Sequence, residues 1–473
     1  MRRLLKIALV AGLPALAVGC EGFLTGGELD QDPNRPAVAE PNQLFLAVQS
    51  RGFTFQTGQW ARLVCMWMQQ CAGTDRQYAA IGVYEVAEGL YEGGFNEVYA
   101  SGGLNDIRKI KAATAEVNNK VFLGITQVLE GLRIGTAADL WGDIPYSEAA
   151  LGIGTGGPAN PSPKLDEQAA VYAAVQAVLD SAIANITSAQ GTTPGAFDIV
   201  YSRPCGTVAR TAADQRAAWI ELARTLKARF YLHTAETNAA AYANALTHAL
   251  QGISKECNDY VTVHSGQDGE ANLWYQFIEE QRSDYISPGA FLVDSILERR
   301  AGDTRLEEYV ERRVNQTEYH GAEPGEGINN RVALFDPDRI DPAFSQPIVT
   351  HVENLLIVAE ASYRTGNTTQ ALDYLNRARA TDGLLPVALA GQALLDEILT
   401  EKYIQLFQSI EVYNDWKRTC FPNLTPALGA SQIPRRFLYP TSERQTNPNV
   451  PAPSAQPAAN DNDPANAGCR GQR

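Results

Sequence analysis

Two stretches of the chain mix flat apolar rings with amide and charged groups at spacings that could hold a polar ligand. The first runs from Trp60 through Trp67, Gln69, Gln70 and Thr74 to Asp75, Arg76 and Tyr78. The second contains Asn272, Trp274, Tyr275, Phe277, Gln281, Arg282 and Asp284. Sugars present CH-rich faces and hydroxyl edges, and peptides present amides, so either ligand calls for ring surfaces flanked by fixed hydrogen-bond groups. One ring stacked on such a face contributes roughly 0.5–1.5 kcal/mol beyond burial, which makes a weak site when two or three act together. Trp60, Trp67, Gln69, Gln70, Arg76, Tyr78, Trp274, Tyr275 and Asp284 are therefore the candidate ligand-binding residues. Each also has an ordinary reading as core packing or solvated surface.

Catalytic chemistry finds less support. Polysaccharide cleavage needs two positioned carboxylates. Glu279-Glu280 and Glu307-Glu308 are adjacent pairs, but neighbours on a helix point in different directions. His233, His248, His264, His320 and His351 form no HExxH or other close metal motif, and no GxSxG elbow is present. Gly152, Gly154 and Gly157 match GxGxxG, yet Pro158 and Pro161 stand where a helix should begin, so a loop is expected rather than a nucleotide site. No catalytic residue, metal or cofactor is expected. A secreted helical hydrolase or lyase and a helical-repeat scaffold that binds only proteins remain the alternatives.

These groups need a frame to position them, and helical periodicity dominates the chain. Apolar residues recur at helical spacing over 43–72, again from Phe95 to Ile110, and from about Val117 to Asp139. After a Gly- and Pro-rich break, a helix is predicted from Asp166, whose carboxylate could cap the first turn, and two more over 214–237 and 239–252. Residues 253–346 are rich in Gly, Pro, Asp and Asn, with one possible strand at Val261-Thr262-Val263, and are expected to carry binding loops. Helices return over 347–446. There Ala359, Gly366, Ala371, Leu375 and Ala378 fall at tetratricopeptide spacing, in which small residues let two antiparallel helices approach and the glycine ends the first. Asn367 and Gln370 then suit a cap for the second helix. Glu360 and Arg379 suggest a structural ion pair between neighbouring helices, while Trp141, Tyr146 and Trp416 are expected to pack in the core. A last helix is predicted from Gln392 to about Trp416, and residues 447–473 read as a flexible tail. The fold class is mainly α, with tetratricopeptide-like hairpins forming a superhelical body that carries irregular, loop-rich insertions.

The first residues read as a secretory leader: Arg2, Arg3 and Lys6 precede an apolar run from Ile7 to Val18 that is too short to span a bilayer. Gly19-Cys20 resembles a lipoprotein processing site, which would make residues 1–19 a signal peptide and Cys20 the acylated residue. Residues 20–42, with Gly26, Gly27, Pro33 and Pro36, then suit an extended tether. Cys65, Cys71, Cys205, Cys257, Cys420 and Cys469 remain, an even number that suggests disulfides in an exported chain. Proximity favours Cys65–Cys71, with Cys205–Cys257 and Cys420–Cys469 as further candidates among several pairings. The net charge of −15 disfavours nucleic acid.

Several segments taken in order resemble the SusD/RagB family of nutrient-binding outer-membrane lipoproteins, in its starch-binding, outer-membrane-associated branch. They are Asp30-Gln31-Asp32-Pro33-Asn34-Arg35-Pro36; Asp139 through Tyr146 with Glu148-Ala149; Asp166, Gln168, Val171 and Tyr172; and Trp219 through Leu232. Pro347 to Thr350 leading into Leu356 through Ala361, Glu401-Lys402-Tyr403, Asp415 to Arg418 and Arg435 to Pro440 complete the series. The resemblance implies a helical body, an oligosaccharide or peptide ligand, a membrane anchor through lipid, and a SusC-type TonB-dependent outer-membrane barrel as partner. Ligand contacts vary between members of that family, so no residue role is carried over.

Overall fold

The computed structural model describes residues 39–151, 160–427 and 429–464. The leader, Cys20, nearly all of the tether, the glycines of the GxGxxG match and Cys469 lie outside these residues. The chain is mainly helical, as its periodicity predicts. In order it forms α1 (Pro41–Thr57), α2 (Gln59–Trp67), strand β1 (Cys71–Gly73), α3 (Leu104–Glu116), α4 (Lys120–Trp141), α5 (Gln168–Thr187), α6 (Ala212–Ala235) and α7 (Ala241–Ala249). The strands β2 (Tyr260–Val261), β3 (Ile286–Pro288), β4 (Val310–Glu311), β5 (Leu334–Phe335) and β6 (Pro347–Val349) follow, and then α8 (His351–Arg364), α9 (Thr368–Thr381), α10 (Gln392–Gln405) and α11 (Glu411–Thr419). The strands pair only as antiparallel twos, β1 with β3, β2 with β6 and β4 with β5.

α4 is the axis of the body, buried along nearly all its length between α3, α5 and α6. Two glycines allow that approach: a Cβ at Gly131 would lie 2.7 Å from Leu179 of α5, and one at Gly135 would lie 2.1 Å from the Phe230 ring of α6. The α8–α9 hairpin follows the predicted spacing. Ala359, Ala371, Leu375 and Ala378 are buried together, Gly366 takes the left-handed conformation (φ 89°) that closes α8, and Asn367 Oδ1 accepts the Gln370 N–H at 3.1 Å to cap α9.

Several local expectations are corrected. The helical run over 43–72 is broken between α1 and α2 at Gly58, and the run over 392–416 is broken by a reversal at Gln408, whose φ is 64°. Asp166 does not cap the helix after it; its carboxylate instead accepts the Tyr146 N–H at 3.0 Å, while Asp143 Oδ1 takes the Gln168 N–H at 2.8 Å at the start of α5. Residues 447–464 are not a loose tail. Asn460 donates to the Asp139 carbonyl at 2.7 Å and Asn462 to the His233 carbonyl at 2.9 Å, binding this segment across the ends of α4 and α6.

Glu360 and Arg379 do not pair with each other. Glu360 meets Arg418 at 2.6 Å and Lys402 at 3.0 Å, and Arg379 turns the other way to Glu397 and Glu401. Glu360 is one node of a buried charge network that ties α8, α10 and α11 together, with Asp415 bonded to both cations. A second chain of charges runs beside it. His233 of α6 lies between Asp139 of α4 (2.7 Å from Nδ1) and Glu411 of α11 (2.6 Å from Nε2), and Arg229 holds Glu353 at 2.6 Å. With a carboxylate at each nitrogen, the imidazole donates twice and is held as the cation. Burial works against that charge, but Asp139 and Glu411 outweigh it and raise the His233 pKa to about 9. Because this is above the ordinary value of 6.5, the stabilisation is fully present below pH 6.5 and is lost as pH rises through 9. We expect this one group to contribute on the order of 2 kcal/mol at neutral pH. Melting temperatures measured from pH 6 to pH 10 should fall more steeply for the wild type than for His233→Gln; parallel curves would contradict this account.

Candidate functional site

The two candidate stretches, separated by about two hundred residues, are brought together by one short pair of strands. Cys71 faces Pro288, Ala72 faces Ser287 and Gly73 faces Ile286, and Thr74 extends the contact by donating its N–H to the Tyr285 carbonyl at 2.9 Å and its hydroxyl to the Asp284 carbonyl at 2.6 Å. The Cys65–Cys71 disulfide fastens the end of β1 to α2, with the two Cα atoms 5.2 Å apart. A second disulfide joins Cys205 to Cys257, and Cys420 is disulfide-bonded as well.

The tryptophans take a different place from the one expected of ligand platforms. Trp60, Trp67 and Trp274 are at most 1% exposed. Trp60 and Trp67 pack on Phe437 at 5.2 and 5.6 Å between ring centres, together with Tyr91, Trp141 and Tyr413, so an aromatic cluster fixes the C-terminal segment to α2. Trp274 meets Phe335 at 6.0 Å. Gln70 is also fully buried and donates to the Tyr403 carbonyl at 2.6 Å, while Gln69 donates to the Thr425 carbonyl at 2.5 Å. These five side chains are buried and hold elements together, and Trp60 also borders a cleft. Trp141, Tyr146 and Trp416 are core residues too.

Arg76, Tyr78, Tyr275 and Asp284 remain at the surface or half-buried. Tyr78 lies 4.9 Å from the Phe277 ring and 6.1 Å from Tyr285; Arg62 stands 4.4 Å over Phe277, and Arg282 and Arg76 stand 5.5 and 6.0 Å over Tyr285. Guanidinium and ring thus alternate across the junction of the two stretches, an arrangement in which each cation lies on the electron-rich face of a ring. Arg62 and Tyr285 were not singled out from the sequence, because their contacts with Phe277 and Tyr78 arise from this long-range pairing. Backbone geometry is unusual here as well: Arg76 and Asp284 both have positive φ, 45° and 61°.

Three clefts border the segment Leu273–Gln281, which begins at the Asn272 cap and continues into a π-helical turn over Gln276–Gln281. Such turns are rare and recur at functional sites, because the extra residue per turn swings side chains to both sides. One cleft of about 400 Å³ is lined by Tyr275, Glu279, Asp284, Glu311, Phe335 and Asp341, among others. On the opposite face, a cleft of about 250 Å³ at Arg62, Phe277 and Gln281 adjoins another of about 430 Å³ at Phe53, His264 and Glu270; they share Thr54, Leu273 and Gln276. Glu279 lines the first cleft and its neighbour Glu280 does not, so the adjacent acids are not presented together. Among the described residues no group of His, Cys, Asp and Glu is arranged to hold a metal ion.

The sequence profile of the SusD-like family described as "Starch-binding associating with outer membrane" matches residues 33–440. The chain belongs to that family. No curated protein matches the sequence, but solved structures share the fold. A chitin-binding protein superposes with a TM-score of 0.69 at 20% identity, covering 86% of this chain and 94% of its own. A SusD/RagB family protein from Bacteroides thetaiotaomicron gives 0.68 at 19% identity, covering 87% and 95%. A chitin-binding SusD homologue from Flavobacterium johnsoniae gives 0.68 at 15% identity, covering 88% and 98%. The SusD-like fold is therefore present over the described body.

The buried rings of this SusD-like protein generate a specific expectation. Trp60→Ala, Trp67→Ala and Trp274→Ala should each lower stability by about 3–5 kcal/mol, the usual cost of emptying a large aromatic site. Denaturant unfolding of each variant measures this; wild-type stability together with lost ligand binding would show that the tryptophans are platforms after all.

Proposed function

We propose that this SusD-like protein is a surface-exposed outer-membrane lipoprotein, anchored through Cys20, that captures nutrient oligosaccharides and passes them to a SusC-type TonB-dependent barrel. Family membership and the chitin-binding solved relatives support a glycan as the ligand in preference to a peptide. The observation that carries the reading is the junction built by β1 and β3. There Tyr78, Tyr275 and Tyr285 are half-exposed; Tyr275 lines the first cleft with Glu279 and Asp284, and Tyr78 and Tyr285 stand against Phe277, Arg76 and Arg282. Rings there stack on the CH faces of a sugar, and Asp284, Glu279 and Gln281 take its hydroxyls. Binding is non-covalent and needs no cofactor, and the protein acts by holding its cargo rather than changing it.

A glycan and peptide array on the chain beginning after Cys20 tests this, followed by calorimetry on the best ligand. Each stacked ring is worth about 1 kcal/mol, so the double variant Tyr78→Ala/Tyr275→Ala should bind roughly thirtyfold more weakly while melting near the wild-type temperature. Release of shorter sugars from the bound glycan would replace this reading with that of a hydrolase or lyase. Absence of any glycan or peptide ligand would leave the scaffold reading in its place.

A further inference from the structure

The buried arginines of this protein are mostly neutralised in place: Arg229, Arg305 and Arg418 each lie within 2.7 Å of a carboxylate. Arg62 is an exception that faces a cleft. Its guanidinium stands 4.4 Å over the Phe277 ring, donates one long bond of 3.4 Å to the Leu273 carbonyl, sits beside Tyr78, and pairs with no carboxylate among the described residues. Its Nε is buried without a partner, as is the Nε1 of Trp60 on the same cleft wall. Burial lowers the Arg62 pKa, the Tyr78 hydroxyl beside it acts in the opposite direction, and the nearby charge of Arg282 adds to the lowering. Arg282 itself has no ion-pair partner among the described residues and lies against Tyr285.

A half-buried cation next to a second cation, with neutral amides from Gln59, Gln276 and Gln281 around it, is an electrostatic vacancy for an anion. The acid on this cleft, Glu97, is directed to Arg51 at 3.7 Å. Across the π-helical turn the other cleft is lined by Glu279, Asp284, Glu311 and Asp341 and by no basic side chain. An acidic ligand group therefore has one favourable side of Leu273–Gln281, and that side is Arg62.

We propose that Arg62 receives the carboxylate of a uronic acid unit, so that the protein prefers acidic glycans to neutral ones. This rests on the glycan-binding reading above and specifies the class of sugar. The planar guanidinium offers two parallel N–H donors to a carboxylate, while the surrounding glutamines and Tyr78 meet the hydroxyls of the same ring.

Calorimetry on the full-length chain with an oligouronate and with its carboxyl-reduced, neutral counterpart of the same linkage tests the assignment. A charge-assisted pair predicts at least about tenfold tighter binding of the acidic form at low salt, a gap that narrows as ionic strength rises. Arg62→Gln should erase the gap between the acidic and the neutral glycan, and Arg62→Lys should restore part of it. Equal affinity of the wild type for the two glycans would overturn the inference while leaving glycan capture standing, and this comparison needs no variant to fold. Tighter binding of a peptide through its free C-terminal carboxylate than of either glycan would also overturn it. If no glycan of either kind binds, the glycan-capture reading itself falls.

Discussion

The body of this protein depends on charges placed where water cannot reach them. Glu360, Lys402, Asp415 and Arg418 lie almost wholly inside the protein, and they join α8, α10 and α11 through bonds of 2.6 to 3.0 Å. Desolvating such ions is costly, and their mutual attraction offsets that only when every partner is in position. Removing one member would leave its neighbours buried and uncompensated, so the network acts as a constraint on which helices may stand together. The parallel set, Asp139, His233, Glu411, Arg229 and Glu353, extends the same constraint to α4 and α6. Burial opposes ionisation of Glu411 too, and the His233 and Arg229 charges overcome it to hold its pKa down at about 2.

The path from this interior to the β1–β3 junction is short. The ion pairs locate α11; Tyr413 of α11 packs on Trp67 at 5.9 Å and locates α2; and α2 is bonded through Cys65–Cys71 to β1. β1 then registers β3, and with it Asp284, Tyr285 and the π-helical turn. The open rings and arginines stand at the end of a rigid series, which suits a site that must keep its shape without ligand. Holding Arg62 on the face of Phe277 also restricts a side chain that would otherwise lose considerable freedom on binding.

How much of this could be read from residues alone depended on the range of the contacts. The α8–α9 hairpin was legible because Ala359, Gly366, Ala371 and Ala378 act on neighbours a turn or two away. The region 253–346 was legible as a carrier of loops, and Tyr275 and Asp284 do line a cleft there. Trp141 and Trp416 were legible as core, whereas Trp60 and Trp67 stood open between ligand platform and packing, because they are covered by Phe437, far along the chain, and no local pattern announces that cover. The partner of Glu360 was missed for the same reason: spacing on α8 and α9 points to Arg379, whereas the cations that reach it come from α10 and α11. Likewise the alternation of Arg62, Phe277, Tyr78 and Tyr285 exists only once β1 and β3 have paired.

The Phe437 contact also determines when the molecule becomes competent. Its ring fills the space among Trp60, Trp67, Tyr91, Trp141 and Tyr413, so helices near the beginning of the chain keep an open hydrophobic hollow until nearly all the polypeptide has been delivered. Closure between such distant segments carries a loop-entropy cost and tends to come late in folding. A polypeptide that stopped before this ring would leave Trp60 and Trp67 without their cover, so the shape of the first candidate stretch depends on a segment more than 350 residues further along the chain.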